Sequence, residues 1–189
     1  MKEVIVSKNG GPEVLELKNI KLDNPKEGEV LIENKAIGLN YIDTYHRSGL
    51  YPLSLPTKIG MEGSGIIIKV GPNVKNFKVG DKVAYASLPL GSYCSHRIFP
   101  AENLFRISEE IDFKIAASLM TKGITTYYLL NKTYKVKREE FILFHAAAGG
   151  VGQVFCQWAK SLGCKVIGTV GSNEKISLAK NNGCNHVIN

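Results

Sequence analysis

The sequence predicts a β domain followed by the opening strands of an α/β domain built on a parallel sheet. Two observations carry this expectation. Residues 1 to about 105 are short runs rich in β-branched residues, separated by glycine turns. From Ile107 onward the period becomes helical, and the chain then alternates strand, helix, strand, helix, strand. The composition is ordinary for a folded chain: 44% apolar and 22% charged residues among 189. The expected division is residues 1–122 and 123–189.

In the first part, "EVLIENKAIGLN" and "GSGIIIKVGPNVKNFKVGDKVAYAS" read as strands punctuated by Gly-Pro, Gly-Asp and Asn-bearing turns. The first helical stretch puts Ile115, Leu119 and Met120 on one face. "EFILFHA" is a short apolar run suited to a strand buried on both faces. The helix after it places Val151, Val154, Phe155, Trp158, Ala159 and Leu162 in one continuous stripe. Gly163 stands where a left-handed cap belongs. "CKVIGTV" is a second strand, "NEKISLAKNN" a helix closed by Gly183, and "HVIN" opens a third strand. A parallel sheet of this kind needs more strands, so most of the second domain is expected to be absent from this sequence.

Charge and cysteine usage exclude several classes. The net charge of +7 reads as a lysine-rich surface or an attraction to polyanions. Its densest basic stretch, "NKTYKVKREE", runs straight into two glutamates and reads as a solvated helix end and loop, so nucleic acid is not the expected partner. No apolar run approaches the roughly 20 residues of a membrane helix, and the N-terminus has no export signal, so a cytoplasmic protein is expected. Cys94, Cys156, Cys164 and Cys184 form no CxxC pair and read as buried, reduced thiols. Cys94 and His96 are the nearest approach to a metal pair, and a zinc site needs more ligands than these. No metal is expected.

Ala147, Gly149 and Gly152 fall at the spacing of GxGxxG, with alanine in the first place. The motif follows a predicted strand and opens a periodic helix. Gly149 and Gly150 would let a pyrophosphate approach the backbone, and Gly152 would let the helix pack closely on the strand. At the tip of the second strand an NAD site usually carries Asp or Glu, about 20 residues after the glycines. Here the tip reads "TVGSNEK". Gly171, Ser172 and Lys175 suit a 2′-phosphate, and Glu174 falls in the first turn of the next helix, where acids are favoured for the dipole alone. Ser172 also suits a plain N-cap, and Lys175 a plain surface position. NADPH is the expected cofactor.

"LFHAAAGGVGQVFCQWAK", "GGPEVLEL", "AIGLNYIDTYHRSGLYP" and "KGITTYYLL" resemble the zeta-crystallin-like, zinc-free quinone oxidoreductases of the medium-chain dehydrogenase/reductase superfamily. The resemblance implies a GroES-like β domain, then a Rossmann domain. It sets Asn40 and Met61 where zinc-dependent relatives carry cysteine and histidine, and neither replaces those ligands. It implies cofactor contacts at Tyr41, Ile42, Asp43, Thr44, Tyr45, Thr125, Tyr128, Gly149, Gly150, Val151, Gly171, Ser172, Asn173, Glu174 and Lys175. The candidate catalytic residues are Asn40, Tyr45 and Tyr51, each tyrosine equally suited to loop packing; His46 and Arg47 read as surface residues. The implied reaction is hydride transfer from NADPH to a quinone, or to an α,β-unsaturated carbonyl, in a homodimer paired through the Rossmann domain. The alternative from another class is a non-catalytic NADPH- or RNA-binding zeta-crystallin-like protein.

Overall fold

The computed structural model describes residues 1–189, which divide into two compact units, Met1–Met120 and Thr121–Asn189. In the first unit, β1 (Lys2–Val6) pairs antiparallel with β2 (Leu15–Asn19). Next come β3 (Glu29–Gly38), α1 (Tyr41–Ser48), β4 (Thr57–Lys58) and β5 (Glu62–Val70). β6 (Lys82–Ala86), β7 (His96–Pro100) and β8 (Phe105–Arg106) complete the unit. One antiparallel sheet runs β7-β3-β5-β6-β8, and a smaller one β2-β1-β4. Val30, Ile32, Ile67, Val83, Tyr85 and Phe99 fill the core of the larger sheet. Arg97 is buried in that core, its guanidinium 4.2 Å from the Phe99 ring centroid and 4.8 Å from that of Tyr85, with Nη2 donating to the Pro89 carbonyl at 2.7 Å. Aromatic faces attract the cation here where a carboxylate would in other cores.

α2 (Phe113–Tyr128) contains the division between the units and ends in one π-helical turn, Leu129–Thr133. Its buried residues near the start are Ala116 and Ala117, while Ile115 and Leu119 are exposed. Close approach decides this. A Cβ on Gly38 would lie 2.2 Å from the Ala117 carbonyl oxygen, so the helix backbone rests on β3 and only small side chains fit between them.

The second unit runs β9 (Phe141–Phe144), α3 (Gly150–Ser161), β10 (Lys165–Thr169), α4 (Ile176–Asn181) and β11 (Cys184–Ile188). The three strands are parallel, in the order β11-β10-β9. Within this chain Phe141 and Leu143 of β9 are exposed and Ile142 and Phe144 half-buried, with Ile142 and Phe144 packed on the core beneath α3 and α4. The stripe on α3 is rotated by one position from its expected centre. Gly152, Phe155, Cys156 and Ala159 are buried, whereas Leu162 is exposed and Val151, Val154 and Trp158 half-buried. Small side chains let the helix axis approach the sheet, and the bulkier ones flank the contact. Gly163 and Gly183 take left-handed conformations, φ +81° and +117°, as their positions at the helix ends require. The segment "NEK" is a 3-10 turn that leads into α4.

No helix is long and apolar enough to cross a membrane. All four cysteines are buried and unbridged. Burial pushes the Cys94 thiol up to about 11; burial, then the adjacent Cys184, pushes Cys156 up to about 12. Thiolate, the reactive form, is therefore scarce at neutral pH. A disulfide reagent at pH 8 should find none of these four thiols fast in the folded protein and all of them after denaturation. Rapid reaction of one of them before unfolding would contradict the burial.

Candidate functional site

In the first unit the loop after β3 gathers the predicted residues around α1. Asn40 is the N-cap: its backbone N–H donates to Asp43 Oδ2 at 2.9 Å, and its side-chain Nδ2 donates to Glu62 Oε2 at 2.6 Å. Glu62 opens β5 opposite Gly38 and is completely buried. Sequence reasoning missed it. The available signal was an acid inside "GMEGSGIII", at a strand position where an apolar residue is expected.

Asp43 is 2% exposed, and its Oδ2 also accepts from the Tyr93 hydroxyl at 3.0 Å. Burial, then the charge of Asp43, raises the Tyr93 phenol well above its ordinary range. The Asp43 carboxylate thus ties α1 to the loop before β7, which leaves the backbone of Asp43 as the part of it open to the expected cofactor contact. Thr44 Oγ1 likewise turns back, donating to the Tyr41 carbonyl at 2.7 Å, and Ile42 is half-buried. Tyr41, Tyr45 and Tyr51 do come together. Tyr45 lies 6.3 Å from Tyr41 and 5.3 Å from Tyr51 between ring centroids, with Tyr41 and Tyr51 exposed. Their hydroxyls and flat faces are available to an aromatic ligand.

His46 and Arg47 are not simple surface residues. His46 is 9% exposed with its ring 6.2 Å from Tyr51, and Arg47 Nε donates to the Gly10 carbonyl at 3.2 Å. His46 thus packs against Tyr51, and Arg47 ties α1 to the loop at Gly10.

In the second unit the turn between β9 and α3 has the form its glycines predict. Gly149 is the N-cap in extended conformation, and Ala146 supplies the positive φ, +54°. The Ala147 N–H donates to the Thr169 carbonyl at 2.9 Å, tying the turn to the end of β10. The first bond of the helix is Gln153 N–H to the Gly149 carbonyl, so the N–H groups of Gly150, Val151 and Gly152 precede the ladder. Gly149 and Gly150 are exposed. This is the donor set and dipole end that an anion requires. Lys122 was missed by the sequence reasoning: its Cε would stand 2.8 Å from a Cβ on Gly150, so its stem passes over the start of the helix.

At the tip of β10, Gly171 has open space where a side chain would be, and Asn173, Glu174 and Lys175 are exposed. Ser172 is the N-cap of the 3-10 turn but makes no side-chain capping bond, so its hydroxyl is not committed to the helix. No carboxylate stands at the strand end itself. These features fit a phosphorylated dinucleotide. On α2, Thr125 is half-buried and Tyr128 exposed, which leaves Tyr128 outside the core.

An antiparallel β unit followed by a strand–glycine turn–helix that opens a parallel sheet defines a two-domain protein of the medium-chain dehydrogenase/reductase class. Residues 26–130 match the alcohol dehydrogenase GroES-like domain, and residues 150–189 match the family described as zinc-binding dehydrogenase. The chain belongs to the alcohol dehydrogenase GroES-like domain family, and its likeness within that family is to the quinone oxidoreductases. It is 54% identical over 175 residues to a quinone oxidoreductase of Pseudomonas aeruginosa, covering 92% of this chain and 54% of that one. It is 42% identical over 191 residues to a 2-haloacrylate reductase of a Burkholderia species, covering 98% of this chain and 57% of that one. The structure of Escherichia coli quinone oxidoreductase complexed with NADPH superposes with a TM-score of 0.98 at 49% identity, covering 100% of this chain and 58% of that one. The chain thus spans about half the length of the curated relatives it matches.

The zinc implied by the second family description does not fit these residues. Asn40 turns its amide nitrogen, a donor, toward Glu62, and Met61 offers only a thioether. Cys94 is buried with its thiol donating to the Gly91 carbonyl at 3.1 Å.

Proposed function

We propose that this chain carries the donor-binding turn and the acceptor-side residues of a zinc-independent reductase that oxidises NADPH and reduces a quinone. The observation that carries the reading is the β9–α3 turn, whose exposed glycines and open N–H groups are matched with a β10 tip bearing Ser172 and Lys175 and no carboxylate. Gly150 and Val151 hold the pyrophosphate through backbone N–H groups, and exposed Gly149, whose own N–H donates to the Ala146 carbonyl, leaves room for it to approach. Ser172 donates to the 2′-phosphate, Lys175 supplies its counter-charge, and Gly171 and Asn173 shape the strand tip around it. Glu174 lies beside them at the start of the 3-10 turn. In the second unit Thr125 and Tyr128 are assigned to the nicotinamide side, and in the first unit the backbone of Tyr41 to Tyr45 is assigned to the cofactor.

NADPH, when bound, supplies a hydride. Asn40 orients the partners, and Tyr45 and Tyr51 offer faces and hydroxyl donors to the acceptor, whose conjugated framework spreads the arriving charge without a Lewis acid. The quinone reading is supported by the quinone oxidoreductases among the relatives. The 2-haloacrylate reductase, at 42% identity, favours an activated alkene as a second acceptor class. Pairing into a homodimer through the α/β domain and residence in the cytoplasm belong to the same reading.

The test is NADPH oxidation by the full-length protein with an ortho-quinone, repeated with NADH and with a strong chelator. Turnover that prefers NADPH and is indifferent to the chelator is expected. NADPH binding without turnover on quinones or activated alkenes would sink the reductase reading in favour of a binding protein.

A further inference from the structure

We propose that Cys156 and Cys184 form a modification site, at which peroxide joins α3 to β11 by a disulfide while the unit stays folded and able to hold NADPH. The two sulfurs are in contact at 3.4 Å, although 28 residues separate them in the chain. Three features of the fold bring them together. Gly183 precedes β11 at φ +117°, and a Cβ there would lie 2.8 Å from the Cys156 carbonyl oxygen, so the chain enters β11 against α3. The register between β10 and β11 then shifts after Val166, whose N–H donates to Asn185 Oδ1 at 2.8 Å and anchors the residue next to Cys184. Gly168 on β10 leaves its side-chain space to the pair, since a Cβ there would stand 2.7 Å from Cys184 Sγ.

Both cysteines belong to the core between the helices and the sheet. Cys156 is completely buried, whereas Cys184 keeps 7% of its surface. Cys184 is therefore the sulfur that peroxide reaches, and Cys156 the one that resolves. Cys184 attacks a peroxide oxygen: an S–O bond forms, the O–O bond breaks, and the thiol proton leaves in a molecule of water. The Cys156 sulfur then attacks that of Cys184, forming the S–S bond and breaking the S–O bond. Cys156, held protonated by burial and by its neighbour, gives its proton to the departing hydroxide as a second water. Two thiols are oxidised, and one peroxide is reduced to two waters. The approach that remains, to a bond of about 2.05 Å, is small beside the arc a sulfur sweeps about its Cα–Cβ bond. Peroxide is close to water in size, so it reaches a sulfur that a bulky disulfide reagent meets only slowly. In a reducing compartment the pair rests as thiols. The closed ring contains β10, α4 and the tip at residues 171–175, and its anchor on α3 lies more than one turn past Gly150. The donor-binding turn is left free.

The experiment treats the reduced full-length protein with hydrogen peroxide at pH 8, blocks the remaining thiols in denaturant and maps unreduced peptides by mass spectrometry. A linked peptide of Cys156 and Cys184 is expected, cleaved by dithiothreitol, with Cys94 and Cys164 blocked as free thiols. The bridged protein should have a higher Tm than the reduced one, because the closed loop restricts the unfolded chain. Its NADPH dissociation constant should stay within about threefold of the reduced protein's. Cys156→Ala should carry Cys184 on to the sulfinic acid, with no partner to intercept it, and Cys184→Ala should leave Cys156 a thiol. No linked peptide, a bridge to Cys164 instead, or a bridge that forms only in denaturant overturns the proposal. So does a bridged protein that has lost the NADPH binding of its reduced form. A reduced protein that does not bind NADPH overturns the proposed function, and the linked peptide and Tm then decide this proposal alone.

Discussion

Gly152→Ala should lower the Tm by several degrees, while Gly150→Ala, two residues away in the same motif, should leave it nearly unchanged and weaken NADPH binding. A Cβ on Gly152 would lie 2.5 Å from the Ala147 carbonyl oxygen and 2.6 Å from that of Ala146. Both are backbone atoms of the turn itself, so relief requires the helix to move off the strand. Overpacking of this sort costs about 1–3 kcal/mol or more, against which the helix propensity of alanine returns at most about 1 kcal/mol. At about 2–4 °C per kcal/mol for a chain of this size, the loss is readily seen by calorimetry.

At Gly150 the atoms a Cβ would meet belong to the far end of the Lys122 side chain and not to the backbone, so no shift of the helix is required. The methyl group then stands on the exposed start of α3, where the phosphate would approach, and NADPH should bind about tenfold more weakly, or about 1.4 kcal/mol. Equal loss of Tm in the two variants, with NADPH binding intact in both, would reduce the motif to a packing device. The contrast separates the glycine that lets the helix lie down from the glycine that leaves the ligand room.

Ser172→Asp should move the cofactor preference from NADPH toward NADH by about two orders of magnitude or more. Aspartate is a good N-cap, so the 3-10 turn that begins at this position should form as well as before. A carboxylate there can accept from both ribose hydroxyls of NADH. Against the 2′-phosphate it replaces a hydrogen-bond donor by a like charge. Loss of one hydrogen bond to a charged group is worth about 1.5–3 kcal/mol, and the repulsion adds to it. The measurement is kcat/KM for both nucleotides in the full-length protein. An unchanged ratio would mean that the 2′-phosphate is held elsewhere and that Ser172 and Lys175 are ordinary surface residues.

The order of elements in the second unit was readable because the hydrophobic period and the glycines agree: Gly163 and Gly183 close their helices at positive φ. The rotation of the α3 stripe was not readable, because it depends on how near small residues let the axis come to the sheet. "FILF" is apolar throughout, and within this chain, which spans about half the length of its relatives, α3 and α4 cover one side of it.

In the first unit Asn40, Tyr45 and Tyr51 were found through their resemblance to known loops, and the structure groups the two tyrosines with Tyr41. Glu62, His46 and the inward turn of Asp43 escaped. Each is a polar side chain whose role is set by a partner distant in sequence: Glu62 meets Asn40 across 22 residues, and Asp43 meets Tyr93 across 50. Local spacing carries no trace of such pairs.

The order of the parallel strands has a kinetic meaning. In the second unit spatial order repeats chain order, β9, then β10, then β11. A chain emerging from the ribosome can lay each strand against a template already in place, at the cost of closing only the loop that contains the intervening helix. The larger sheet of the first unit has no such courtesy: β7 pairs with β3, although β5 and β6 are made between them. Long-range pairing of that kind is slow. Of the two units, the later-synthesised one is therefore expected to gain its native contacts faster once its strands are available, and the earlier one to set the pace of folding.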